Sequence, residues 1–469
     1  MSSRRLTTLV ALCVLVLGTV AVLAVAALPG PRRVPPRAVV PVQFPGYSSL
    51  TSSLAADPVG AAVAVYRQEA VRGVRGSTQT LLLGADGRSA RRLVEAGERG
   101  GSRAPAAVVL SPDGRTVAVG DGPWAGAPGD APAPAALPPG RRAVVPRTPA
   151  PASTPATGGT TGPRSTLALV DLSTGASRVH VVPRVPTVVP VSWSGDGSRL
   201  AYLGTDAGGG SEAGADAAPA TGQLFVLDTG TGRAAAVPGA EEVLAAALSP
   251  DGTRLAFQAP DRPVVRVVDP FADPFDDPFT DAGRGRGEGV ELAVPAGAVL
   301  AGGPAWSPDG SLLALTTGTG TPGARIAFVA TRPGGDVPAA VPGAGVLGWA
   351  SPRALLHRPV PAQQDRDADL VVLRTDLGTG ARSAHLRVPT ARGHHRAGDL
   401  TLAGGLLPGA VPTTSRAVDR GPWPLPARLG LVLAGAVLAV PATAGLLRQR
   451  DRLAALTAVP EWARDPSRG

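Results

Sequence analysis

A turn motif recurs four times in this sequence, each time between two short apolar segments. The copies occupy residues 110–114, 193–197, 248–252 and 306–310, and three of them contain the word Ser-Pro-Asp-Gly. This word predicts a type I turn, because Ser can bond back to the backbone, Pro presets φ, and Gly tolerates a positive φ. A tight turn between two apolar segments predicts a β-hairpin. The repeats therefore predict an all-β fold.

The turn residues are predicted to be structural, because the turn itself explains their chemistry. These structural repeat turns contain Pro112, Asp113, Gly114, Asp196, Gly197, Pro250, Asp251, Gly252, Pro308, Asp309 and Gly310.

The spacing of the turns predicts a β-propeller. The turn Asp residues are 83, 55 and 58 positions apart, and each step shrinks to about 40 residues when the insertions are removed, which is the length of a four-stranded blade. A second, similar hairpin follows the first in several units. We expect six blades, with seven as the alternative, over residues 50–405, with insertions at 121–164, 205–221 and 269–290. Leu400, Thr401 and Leu402 are expected to pair with the first blade and close the ring, which removes unpaired strand edges.

The repeated pattern Trp/Leu-Ser-Pro-Asp-Gly-x-x-Leu-Ala resembles the WD-like repeat of TolB-type propellers, over roughly residues 50–405. The resemblance implies the propeller fold and, as in TolB, a role in the cell envelope through protein contacts. Because the motif consists of turn chemistry and strand packing, it implies a fold more strongly than a particular function.

Both ends of the chain contain long apolar runs. Residues 6–28 are uncharged and follow Arg4 and Arg5, and residues 429–447 precede three Arg residues. Each run is long enough to cross a bilayer core of about 30 Å. We therefore expect a signal anchor at 1–28, with a cleaved signal peptide as the alternative, and a second transmembrane helix at 429–447. This variant of the family would be anchored in the cell membrane, with the lipid bilayer as a partner.

The remaining boundaries follow from that arrangement. Residues 29–49 are predicted to form a Pro- and Arg-rich spacer, 406–428 a linker, and 448–469 a cytoplasmic tail, which places the propeller outside the cytoplasm. Nucleic acid is not a predicted partner, although the net charge is +9. Every basic residue is Arg, the Arg residues are scattered, and only 16 Phe, Trp and Tyr side chains could stack on bases.

The insertion in the fourth blade carries the strongest candidate site. Residues 269–281 contain three Asp-Pro-Phe words, with five carboxylates, no cation and three of the seven Phe residues. Proline at every fourth position prevents a helix. Phe beside carboxylates is typical of a partner-binding segment; a loop whose Phe side chains fold back onto the propeller and a loose Ca²⁺ site are the alternatives. The candidate partner-binding residues are Asp269, Phe271, Asp273, Phe275, Asp276, Asp277 and Phe279.

No catalytic residue, metal or cofactor is predicted. The sequence contains no Gly-x-Ser-x-Gly, His-Glu-x-x-His or phosphate-loop motif, and its five His residues read as structural or solvated. We expect a non-enzymatic, membrane-tethered scaffold that binds an envelope protein or glycan, in an unspecified oligomeric state. The alternatives are a hydrolase or lactonase with catalytic residues lining the central channel, and an envelope sensor that signals through the Arg-rich tail. Converging carboxylates or His at the channel mouth would favour the enzyme, and an uncharged mouth the scaffold.

Overall fold

The computed structural model describes most of the central part of the chain. The described residues are 37–46, 48, 50–68, 79–98, 106–123, 164–183, 185–205, 221–260, 262–270, 289–319, 321–360, 369–388, 400–414 and 418–422. Apart from Pro422, they all belong to one compact unit, Pro31–Gly421; a second unit comprises Met1–Gly30 and Pro422–Gly469.

Six four-stranded antiparallel sheets form this unit, together with one pair of parallel strands. In chain order the strands are β1 (Val39–Pro41); β2 (Ala62–Gln68), β3 (Gln79–Gly84) and β4 (Ala90–Arg92); β5 (Ala106–Leu110), β6 (Thr116–Pro123), β7 (Arg164–Asp171) and β8 (Ser177–Pro183); β9 (Thr187–Trp193), β10 (Arg199–Thr205), β11 (Gln223–Asp228) and β12 (Ala234–Ala236); β13 (Ala245–Leu248), β14 (Leu255–Gln258), β15 (Val264–Val268) and β16 (Val290–Ala293); β17 (Ala298–Leu300), β18 (Leu312–Thr317), β19 (Arg325–Ala330) and β20 (Val341–Pro342); β21 (Gly345–Ser351), β22 (Ala354–Arg358), β23 (Leu370–Asp376) and β24 (Arg382–Val388); β25 (Thr401–Leu402); and β26 (Val411–Thr413). A short helix, α1 (Val94–Glu98), follows β4, and a 3-10 turn (Gly303–Ala305) follows β17.

The strand order confirms a six-bladed propeller. In blades 2 to 6 the four strands follow one another in sequence, and the first strands of several neighbouring blades contact each other around the central axis. Blade 1 differs because β25 supplies its innermost strand, pairing Ala64 with Leu402 and Val65 with Thr401. Strand β25 therefore closes the ring by completing the first blade, as the sequence predicts for Leu400-Thr401-Leu402.

The core lies between the faces of adjacent blades. Strands β2, β3, β13 and β14 are buried along their whole length, because each blade packs a neighbour on both of its faces. Such strands read as nearly continuous Val, Leu and Ala rather than alternating apolar and polar residues. The outermost strands β12 and β16 are mostly exposed, whereas β4 of blade 1 is mostly buried.

The segments before β2 and after β25 lie against blades 1 and 6. Strand β1 pairs in parallel with β26. Residues 42 and 44 add to the outer edge of β24, where the Arg387 N–H donates to the Val42 carbonyl at 2.7 Å. Residues 52–54 add to the outer edge of β4. Parts of the segments predicted as spacer and linker are therefore paired with the propeller.

The flanking transmembrane helices of the predicted fold class are a wrong prediction. In the described part of the chain no helix has the length and apolar character needed to cross a membrane. The one described α-helix, α1, has five residues and contains Glu95 and Glu98, and five residues rise only about 8 Å. The two predicted spans, 1–28 and 429–447, lie outside the described residues.

Candidate functional site

The second turn of blade 4 is the sequence-predicted partner site. Strands β15 and β16 pair normally on either side of it, from Val264 opposite Ala293 to Val267 opposite Val290. Asp269 is exposed directly after β15. The other candidate residues, Phe271, Asp273, Phe275, Asp276, Asp277 and Phe279, lie outside the described residues. The blade thus forms its complete sheet although its second turn is replaced by a long insertion.

The first-hairpin turns have one repeated hydrogen-bond pattern. In the turn that contains Ser249, the Gly252 N–H donates to the Ser249 carbonyl at 2.9 Å. The Ser249 hydroxyl donates to Asp251 at 2.5 Å and accepts from the Arg254 N–H at 2.9 Å. The same bonds occur in the turns that begin at Ser111, Ser194 and Ser307. The four turn glycines have φ between +67° and +71°, the left-handed region that favours glycine.

These hydrogen bonds satisfy the turn carboxylates within the turn. The hydroxyl of Ser249 is the main cause that lowers the pKa of Asp251. For Asp309, partial burial acts to raise the pKa, but hydrogen bonds from Ser307 and Ser311 outweigh it and the pKa is lowered. A carboxylate stabilised in its charged form by its own turn is a poor general acid at neutral pH. We therefore assign these residues to structure.

The innermost strands present no charged side chain to the central channel. Strands β5, β9, β13, β17, β21 and β25 contain no Asp, Glu, Arg or His. The hydroxyl of Ser192 in β9 is buried and accepts the Leu248 N–H of the next blade at 2.9 Å. The six innermost strands therefore place no carboxylate or imidazole on the channel wall.

Three Trp residues at or near the ends of innermost strands link adjacent blades. The indole N–H of Trp193 donates to the Val109 carbonyl at 3.2 Å, and that of Trp306 donates to the Ala247 carbonyl at 2.9 Å. Trp349 makes the equivalent bond to Pro304 at 2.9 Å. Each accepting carbonyl lies in the preceding blade. The Trp of the repeat therefore joins adjacent blades.

The described His side chains are held neutral by their surroundings. Burial is the main cause that lowers the pKa of His180, His357 and His385. His357 is fully buried between the Arg358 carbonyl and the Thr375 hydroxyl, at 3.0 and 2.8 Å. Among the residues that the structure describes, no three His, Cys, Asp or Glu side chains form a group that could hold a metal ion.

Sequence reasoning did not find the clefts between blades 2 and 3. One cleft, of about 460 Å³, is lined by β8 on one side and by blade 3 on the other, and an adjoining cleft has about 370 Å³. Tyr202 and Phe225 line the larger cleft with their rings stacked, 5.2 Å apart and 7° from parallel. Arg178 lines both clefts. The only sequence signal was Val179 and Val181 in an outermost strand, where exposed positions are usually polar.

Comparison with known proteins gives likeness at the level of the fold. No protein-family model and no curated protein matches the sequence. Similar solved structures include TolB from Acinetobacter baumannii, with 12% identity, a TM-score of 0.40 and coverage of 74% of this chain and 67% of that one. The putative TolB from Agrobacterium tumefaciens has 13% identity, a TM-score of 0.37 and coverage of 73% and 97%. The β-propeller domain of the Trilobed protease from Pyrococcus furiosus has 10% identity, a TM-score of 0.33 and coverage of 60% and 71%.

At such identities a shared fold carries no particular activity. The assignment rests on the chain's own strand order, which has six four-stranded blades with the first completed by β25. The chain is a six-bladed β-propeller.

Proposed function

We propose that this propeller is a non-enzymatic scaffold that binds a protein partner through the second turn of blade 4. The observation that carries the proposal is the intact pairing of β15 with β16 around an insertion that begins at the exposed Asp269. In blades 3 and 6 the equivalent turns are short and closed by their own Asp residues, Asp228 and Asp376. An insertion that the blade does not need for its sheet is available for binding.

The composition of the segment indicates the kind of partner. Three Phe side chains at a four-residue step give apolar anchors, and the five Asp residues keep the segment soluble and give it a strong negative charge. Aromatic anchors contribute a large share of the binding energy at protein interfaces. A protein surface with apolar pockets beside Arg or Lys matches this chemistry better than a glycan does.

The proposed location is the cell envelope, outside the cytoplasm. Its support is the uncharged run 6–28 after Arg4 and Arg5, which is typical of a secretory start.

Cross-linking and co-purification from native cells test the proposal. The wild-type chain is compared with a variant in which Phe271, Phe275 and Phe279 are all replaced by Ala. The matched control replaces Phe257 and Phe328 singly by Leu, since these two Phe side chains are buried inside the propeller. We expect a specific partner to be lost only from the triple variant. An unchanged partner profile would overturn the proposal.

A further inference from the structure

The outer edge of blade 2 differs from the other described outer edges. Strand β8 has seven residues and pairs with β7 from Ser177 to Pro183 without a bulge. The outermost strands of blades 3, 4 and 5 have three, four and two residues. Long, regular edge strands are ready templates for another strand, and proteins normally shorten, bulge or cover them.

The propeller itself covers its other long outer edge. Residues 42 and 44 pair with Arg387 of β24, at 2.7 and 3.0 Å. The outer edge of β4 is covered in the same way, by the Ser52 carbonyl and the Leu54 N–H, which bond to Arg92 at 2.8 and 2.9 Å. Outermost strands of this propeller therefore accept an extended segment. In the described part of the chain, no backbone group bonds to the outer edge of β8.

The two faces of β8 have different chemistry. Val179 and Val181 lie on one face and are 46% and 58% exposed. Arg178 and His180 lie on the other face, because successive side chains of a strand point to opposite sides. Both of them line the larger cleft beside blade 3 and lie against its turn at Gly232.

We propose that β8 binds an extended peptide of a protein partner, which adds to blade 2 as a fifth strand and carries apolar residues alternating with acidic ones. The apolar residues lie beside Val179 and Val181, and an acidic residue lies beside Arg178. Cross-strand apolar pairs and opposite charges both stabilise a sheet. Backbone hydrogen bonds supply affinity in this binding mode, and the alternating side chains supply specificity.

The charge complementarity depends on Arg178. Burial, followed by the charge of Arg178, lowers the pKa of His180, so His180 is neutral at pH 7. Across the cleft, the described lining residues contributed by blade 3 are Tyr202, Phe225, Leu227, Gly232 and Ala234, none of which carries a charge. Arg178 is thus the cation that selects an acidic over a basic peptide.

Two synthetic peptides test this proposal with the full chain. One has the sequence Val-Glu-Val-Glu-Val-Glu-Val and the other has Lys in place of Glu; both carry blocked ends and a fluorescent label. Fluorescence anisotropy measures affinity, and hydrogen exchange with mass spectrometry locates the protected amides. We expect the Glu peptide to bind and to protect residues 177–183. Arg178→Glu is expected to weaken the Glu peptide about fivefold to tenfold and to strengthen the Lys peptide, because one cross-strand pair changes sign.

The matched control is Arg325→Glu, an exposed Arg at the start of β19 in blade 5, which should leave both affinities unchanged. The proposal is overturned if neither peptide binds, if protection appears on another strand, or if Arg178→Glu does not reverse the preference. It is also overturned if residues 177–183 are already protected in the free protein and lose protection when residues 124–163 are replaced by a short Gly-Ser linker. That result would mean that the chain's own residues 124–163, and not a partner, pair with the outer edge of β8.

Discussion

Replacing Arg91 should destabilise the propeller far more than breaking an exposed ion pair. Arg91 is fully buried in β4, and its guanidinium group contacts the carboxylates of Asp57, which is 2% exposed, and of Asp419, at 3.3 Å. It also donates to the backbone carbonyls of Asp57 at 3.0 Å and Asp419 at 2.6 Å. These bonds tie the segments before and after the blades to blade 1.

The size of the effect follows from burial. Arg91→Met keeps most of the side-chain volume but leaves the Asp57 carboxylate buried without its cation, which typically costs about 3–5 kcal/mol. The control is Asp336→Asn, which breaks a pair with Arg353 of similar length, 3.4 Å, whose side chains are 81% and 71% exposed. Such exposed pairs contribute about 0–1 kcal/mol.

Urea unfolding followed by tryptophan fluorescence measures both variants. With an m-value of about 3 kcal/mol/M, the midpoint of Arg91→Met should fall by about 1 M or more, while that of Asp336→Asn should barely move. Adding Asp57→Leu to Arg91→Met should recover much of the loss, because no charge then remains buried. Equal urea midpoints for Arg91→Met and Asp336→Asn would show that burial does not make the loss of the Arg91 cation costly.

Three further predictions concern the blades themselves. Trp306→Phe removes the indole N–H that bonds to the Ala247 carbonyl of the preceding blade, and should lower the free energy of unfolding by about 1–3 kcal/mol in urea titrations; an unchanged midpoint would contradict the role given to the repeat Trp. Gly114→Ala should lower the stability of the propeller much more than Gly297→Ala. Both glycines have φ near +70°, but a Cβ at 114 would meet a backbone carbonyl of blade 1, whereas a Cβ at 297 would have no atom within 4 Å. Thermal unfolding should show a small loss at 297, about 1–2 kcal/mol, and equal losses would be inconsistent with the packing of the turns. His357 should lower stability in acid, because burial holds its pKa below the ordinary value in the folded protein. Below about pH 6.5 the unfolded chain therefore binds more protons than the folded protein does. His357→Gln should flatten the decline in unfolding midpoint between pH 7.5 and 5.5, and an unaltered decline would argue against this role of His357.

The repeats predicted the blades because turn chemistry and strand patterning are local. The word Ser-Pro-Asp-Gly specifies its own hydrogen bonds, and Thr401 and Leu402 form the short strand that completes blade 1. The transmembrane helices were predicted from apolar runs and the Arg residues beside them, and the described residues contain no helix long and apolar enough to span a membrane.

The pairing of the segments before β2 and after β25, and the clefts between blades 2 and 3, depend on contacts between residues far apart in the sequence. The buried contacts of Arg91 have no local signal in the sequence, because its partner Asp419 lies 328 positions away. Strand β1 pairs with β26 across a similar separation, and in parallel, so no hairpin turn announces it. The cleft beside β8 exists only because blades 2 and 3 stack next to each other. Hydrophobic periodicity cannot indicate such neighbours.

In the proposed function, the insertion of blade 4 serves binding and is not needed for the sheet of the blade. Replacing residues 269–289 by the blade 3 turn sequence, Asp-Thr-Gly-Thr-Gly-Arg, tests it directly, because that turn joins the equivalent strands β11 and β12. The measurement is quantitative co-purification of the partner alongside the urea midpoint of the same variant. We expect loss of the partner, with a free energy of unfolding within about 0.5 kcal/mol of the wild type. A retained partner, or a strongly destabilised propeller, would contradict it.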